Sequence, residues 1–82
     1  MKTDKKRVTE AFAKVIRTGR EKSGMSQEKL AHLSGVDRSH TGRLERGKCG
    51  PTLAVVMNLA EPLGLTPSEL VRKVEQELKK GR

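Results

Sequence analysis

Apolar positions along this chain recur at helical spacing, and no segment alternates apolar and polar with period two over a useful length. Val8, Phe12, Val15, Ile16 and Gly19 fall at i, i+4, i+7, i+8 and i+11, which is one face of a helix from about Asp4 to Ser23. Gly24 supplies its C-terminal stop. A second, shorter helix begins with Ser26 as N-cap, stapled by Met25 and Leu30, and Gly35 ends it after Leu30, Ala31 and Leu33. A third runs from the N-cap Asp37 to Gly47, before a Gly50-Pro51 loop. A fourth starts from Thr52 and is expected to carry Leu53, Val56, Leu59, Ala60 and Leu63 inward. Pro62 removes a helical donor and crowds the carbonyl of Asn58, so this helix is expected to kink or end early. The fifth has the strongest start signal. Thr66 and Glu69 make a capping box, Pro67 takes the first helical position, and Leu65 and Leu70 form a staple. Leu70, Val71, Val74 and Leu78 then mark an apolar stripe running to Lys80. The fold class is all-α with five helices.

Composition narrows this picture. A chain of 82 residues leaves room for one domain, 1–82, with basic ends at about 1–4 and 80–82 expected to fray. Hydrophobic residues are 33% and aromatics 1%, so the core is small and built from Leu, Val, Ile, Ala and Met. A domain of this size buries only about 60% of its unfolded surface, which makes self-association a natural supplement. The formal net charge of +8 favours a polyanionic partner, nucleic acid before acidic membrane. A membrane span is excluded for the most apolar stretch, Leu53 to Leu65. It is interrupted by Asn58, Glu61 and Pro62 and falls short of the ~20 residues a span needs. No apolar run follows the basic N-terminus, so a cytoplasmic protein is expected.

Chemistry-bearing residues are sparse. Cys49 is the single cysteine and, with His32 and His40, does not give metal-ligand spacing; it is expected to be an exposed loop thiol. No nucleophile–base pair, metal cluster or Gly-rich phosphate loop is evident, so neither enzymatic activity nor a cofactor is expected.

Helices two and three are short, adjacent and joined by Ser34-Gly35-Val36, the helix-turn-helix arrangement of two helices set steeply by a tight turn. At 100° per residue, Arg38, Ser39, Gly42, Arg43 and Arg46 fall within one arc of about 140°, while Thr41 and Leu44 point toward the core. The arc holds no acid; Asp37 and Glu45 occupy capping and inward positions. Arginine pairs bidentately with the O6 and N7 of guanine, so the arc suits the major groove of double-stranded DNA better than a merely solvated face. Gly42 fits either a backbone lying close against DNA or a tolerated weak point in the helix. Gln27 at the start of the second helix, Lys48 after the third, and the Thr52 end of the fourth suit phosphate contact.

Gln27-Glu28-Lys29-Leu30-Ala31, Ser34-Gly35-Val36 and Arg43-Leu44-Glu45-Arg46-Gly47-Lys48 resemble the XRE-type helix-turn-helix family of Cro-like and phage-repressor-like regulators. The resemblance extends from about Ile16 to Leu70, and Asp37-Arg38-Ser39-His40 further resembles the start of the same helix in restriction–modification controller proteins. It implies a repressor-like domain in which Arg38, Ser39 and Arg43 read bases, with His40 beside them. It also implies that Gln27, Arg46 and Lys48 contact the backbone, and that Arg20 pairs with Glu45 to tie helix one to the recognition helix. Three residues depart from the family pattern. Thr41 replaces an aliphatic residue, and its hydroxyl is expected to bond back to the Asp37 carbonyl. Gly42 removes a side chain, and Pro62 replaces a helix former.

The functional expectation is a transcriptional regulator binding a pseudo-palindromic operator as a homodimer, with recognition helices ~34 Å apart. Leu65, Val71, Val74 and Leu78 are the candidate dimer contacts. No small-molecule effector is evident. The alternative is a protein-interaction or antitoxin-like module whose basic helical face binds an acidic partner. Single-stranded RNA binding is disfavoured because stacking needs aromatics and only Phe12 is present, on the apolar face.

Overall fold

The computed structural model describes residues 2–80. These form five α-helices: α1 (Lys5–Lys22), α2 (Gln27–Ser34), α3 (Arg38–Glu45), α4 (Leu53–Ala60) and α5 (Pro67–Lys80). A single 3₁₀ turn, Glu61–Leu63, links α4 to α5, and no strand occurs among the described residues. The basic ends expected to fray fall partly outside the described residues. Within them, Asp4 caps α1 by accepting the Arg7 amide at 2.7 Å, and α5 continues through Lys80.

Each helix starts where a short oxygen side chain can take up an otherwise orphaned amide. Ser26 accepts from the Lys29 N–H at 3.0 Å, Asp37 from Ser39 and His40 at 3.0 and 3.3 Å, and Thr52 from Val55 at 3.2 Å. At α5 the capping box closes in both directions. The Thr66 amide donates to Glu69 Oε1 at 2.8 Å, and the Glu69 amide donates to Thr66 Oγ1 at 3.2 Å. Pro62 ends α4 early. Its missing N–H cannot continue the ladder, so the chain tightens into the 3₁₀ turn and leaves through Gly64 at φ 76°.

The core is formed by Phe12 and Ile16 of α1, Leu30 of α2, Val36 of the turn, Leu44 of α3, Val56, Leu59 and Ala60 of α4, Leu63, and Leu70 of α5. Helix α1 packs against both α5 and α3. It therefore buries more than one stripe: Thr9, Ala11 and Ala13 are inside as well, while Val8 and Val15 are half-buried.

Leu53, expected inside, lies outside, and Leu33 is open as well. Leu53 is 75% exposed, because the buried positions of α4 begin only at Val56 and its first turn extends past the core. Leu33 is 50% exposed, because α2 turns Leu30, Ala31 and Ser34 inward. The buried Ser34 hydroxyl is satisfied locally, donating to the Ala31 carbonyl at 3.3 Å and accepting from the Val36 N–H at 3.2 Å.

Candidate nucleic-acid interface

Helices α2 and α3 are joined by Gly35-Val36-Asp37, and each part of this turn has a physical task. Gly35 adopts φ 73°, a left-handed conformation costly for other residues, while its amide still donates to the Ala31 carbonyl at 2.9 Å. Val36 anchors the turn in the core, and Asp37 caps α3. On the inner side of α3, Leu44 and Thr41 are fully buried. The Thr41 hydroxyl donates to the Asp37 carbonyl at 3.0 Å, so a polar side chain occupies a core position without an unmet hydrogen bond.

The orientation of α3 is set at its C-terminal end by Glu45, which is 2% exposed. Its carboxylate accepts from Arg20 Nε at 2.7 Å, Arg20 Nη2 at 3.0 Å and Gln27 Nε2 at 3.0 Å. The same guanidinium donates from Nη1 to the Met25 carbonyl at 2.7 Å, tying the α1–α2 connection into the cluster. The hydrogen bond to Glu45 raises the Arg20 pKa above its ordinary value despite burial. Arg17 adds a contact that sequence reasoning missed. Its Nη1 donates to the Glu45 carbonyl at 2.9 Å, satisfying an orphan acceptor at the end of α3. The available signal was its position one turn before Arg20, on the same face of α1.

The outer side of α3 presents Arg38, Ser39, Arg43 and Arg46, all exposed. His40, beside them, is half-buried. Gly42 departs from the helical-wheel expectation. It is buried, although its direction is outward, because the Arg46 guanidinium and the Gln27 carboxamide close over it.

The residues expected at phosphates divide. Lys48 is exposed just after α3. The Thr52 oxygen accepts from Val55, which leaves its hydroxyl proton to donate outward. Gln27 spends one of its two carboxamide N–H groups on Glu45, so its side chain also supports α3 within the protomer. Cys49 is half-buried against the core and not an open loop thiol.

The dimer candidates separate too. Leu78 is 9% exposed, and its carbonyl accepts from Arg7 of α1 at 3.0 Å, so it belongs to the protomer's own α1–α5 contact. Leu65 and Val74 are half-buried against the core, and Val71 is 52% exposed. Leu53 and Met57 of α4, 75% and 53% exposed, are further open apolar side chains.

A helix-turn-helix domain model matches residues 11–72, spanning the α2–α3 unit and the helices that hold it. The chain belongs to the helix-turn-helix domain family. It is 37% identical over 65 residues to an HTH-type transcriptional regulator of Haemophilus influenzae, covering 79% of this chain and 66% of that one. It is 32% identical over 66 residues to the control protein C.SmaI of Serratia marcescens, covering 80% of this chain and 79% of that one. Among solved structures, the restriction–modification controller protein C.AhdI of Aeromonas hydrophila superposes with a TM-score of 0.71 at 42% identity. That match covers 76% of this chain and 94% of the other. The all-helical repressor-like architecture and the XRE-type resemblance both agree with these helix-turn-helix relatives. No helix among the described residues is long and apolar enough to cross a membrane.

Proposed function

We propose that this chain is a sequence-specific, double-stranded-DNA-binding transcriptional regulator acting as a homodimer on a pseudo-palindromic operator. The observation that carries the reading is the division of labour on α3. Its inner and C-terminal contacts are fully engaged with the protomer, while Arg38, Ser39 and Arg43 stand exposed on a basic surface. A helix anchored in this way can enter the major groove as a rigid unit, with Arg38 and Arg43 toward guanine edges and Ser39 and His40 beside them. Lys48 follows α3 and the Thr52 hydroxyl caps α4, positions that fit adjacent phosphates and would set register. The names of the relatives, regulators and control proteins, support the same assignment.

The dimer seam is assigned to three of the open apolar side chains, Leu53 and Met57 of α4 with Val71 of α5. Leu65 and Val74 lie at its edge, and Leu78 contributes from beneath by holding α5 on α1.

The test is selection of bound sequences from a random duplex library at ~150 mM salt, where non-specific phosphate attraction is weakened. Enrichment of two inverted, guanine-containing half-sites about one helical turn apart is the expected result. No enrichment would overturn the reading and favour an acidic protein partner for the basic face.

A further inference from the structure

Gly42 is not a glycine for backbone reasons. Four glycines of the described chain have positive φ, Gly24, Gly35, Gly47 and Gly64; Gly42 is not among them and sits inside regular helix. Nor does a neighbouring backbone press on it. The atoms nearest to a Cβ at this position are side-chain ends: Arg46 Nη1 at 3.0 Å, Gln27 Oε1 at 3.7 Å and Arg46 Cζ at 3.8 Å. What the missing methyl makes room for is the Arg46 guanidinium.

Helical side chains tilt toward the N-terminus, and residues four apart meet on one face. Arg46 takes this course to its limit. Its guanidinium lies over Gly42, about one helical turn (~5.4 Å) back along α3, the helix whose outer side also carries Ser39 and Arg43. Gln27 walls the slot on one side and is itself fixed by its hydrogen bond to Glu45. An arginine folded back over Gly42 has its charged end nearer the middle of α3 than its own Cα at the helix end.

We propose that Gly42 and Arg46 form one specificity element, in which the glycine provides the floor that aims the Arg46 guanidinium at a base edge rather than a phosphate. This rests on the DNA-binding reading above. The chemistry implied is the acceptor pair of a guanine, which a planar guanidinium matches bidentately.

Anisotropy titrations with the selected operator, all its single-base-pair variants and a scrambled duplex, over a range of salt, test the proposal with wild type, Arg46→Ala, Gly42→Ala and the double variant. Arg46→Ala is expected to lose about 5- to 150-fold at one base pair of each half-site and to stop discriminating there. Gly42→Ala keeps the helix, because the atom its methyl meets is the flexible end of a side chain; a melt no lower than wild type checks this. It is expected to change the base ranking at that same pair, and to add nothing when Arg46 is already alanine. A uniform loss across all duplexes with Arg46→Ala, with the salt slope reduced by about one, would make Arg46 a phosphate contact and overturn the proposal. An unchanged ranking with Gly42→Ala would overturn it as well. A wild type unable to tell the operator from the scrambled duplex would instead remove the DNA-reading hypothesis beneath it.

Discussion

Helices α3 and α4 are the same length, eight residues each, and each begins at an N-cap whose side-chain oxygen accepts a backbone amide. Both bury one face in the same core, through Leu44 in α3 and through Val56, Leu59 and Ala60 in α4. Their outer faces are opposites. α3 shows arginines and a serine; α4 shows Leu53 and Met57. Their attachments differ in kind as well. α3 is held by directional ties, the Arg20–Glu45–Gln27 cluster and the Arg17 cap, whereas α4 is held by apolar burial. Apolar contact tolerates small slides, but a charged hydrogen-bond cluster has one good geometry. A helix whose outer side chains must meet base edges needs the second kind of attachment. A helix that offers only apolar surface to another copy needs no more than the first.

The sharpest way to break this contrast is Glu45→Ala. It leaves the Arg20 guanidinium and the Gln27 amide without their shared acceptor, and a loss of about 3–5 kcal/mol in urea unfolding is expected. A loss under about 1 kcal/mol would mean that α3, like α4, is held by its apolar face alone. On the outer surface, Arg38→Ala is expected to weaken operator binding by about 1–3 kcal/mol and to relax one base pair, while stability stays within about 0.5 kcal/mol. An operator titration paired with a melt separates the two effects.

The corresponding change on α4 is the pair Leu53→Asp and Met57→Asp. Both side chains are open, so protomer stability should hold within about 0.5 kcal/mol per site. The dimer dissociation constant should rise roughly tenfold or more (about 1.4 kcal/mol). Sedimentation that shows no such rise would move the seam elsewhere.

The smallest effect belongs to the cap of α5. Thr66→Ala is expected to cost about 1 kcal/mol by thermal melt. The Thr66 amide holds the Glu69 carboxyl below its ordinary pKa. That contribution is present above the unfolded glutamate value of about 4.3 and is lost as pH falls through the lower folded value. Melts taken from neutral to acid pH should therefore lose less in Glu69→Gln than in wild type.

Much of this molecule is legible one turn at a time. Asp4, Ser26, Asp37, Thr52 and Thr66 cap amides two or three residues away, and the early end of α4 at Pro62 is equally local. The turn at Gly35 and the Thr41–Asp37 bond follow the same logic. The outward placement of Arg38, Ser39 and Arg43 needs only the 3.6-residue period. The sequence by itself therefore determined an all-helical chain, its helix boundaries and its recognition arc, because these depend on contacts within about four residues.

Tertiary structure decided the rest. The donors that meet Glu45 come from 18, 25 and 28 residues away, and whether they converge depends on how α1, α2 and α3 cross. Only the resemblance anticipated the Arg20 pair; the Arg17 cap had no more than a face shared with Arg20 to signal it, and the engagement of Gln27 with Glu45 had no local signature. Leu33 and Leu53 share the periodicity of core residues but lie off the faces the neighbouring helices cover, while α1 draws Leu78 inward. Gly42 points outward on any helical wheel, yet two side chains from separate positions close over it. A period states which residues share a face; only the packing of other elements states which faces meet, because burial belongs to a pair of surfaces.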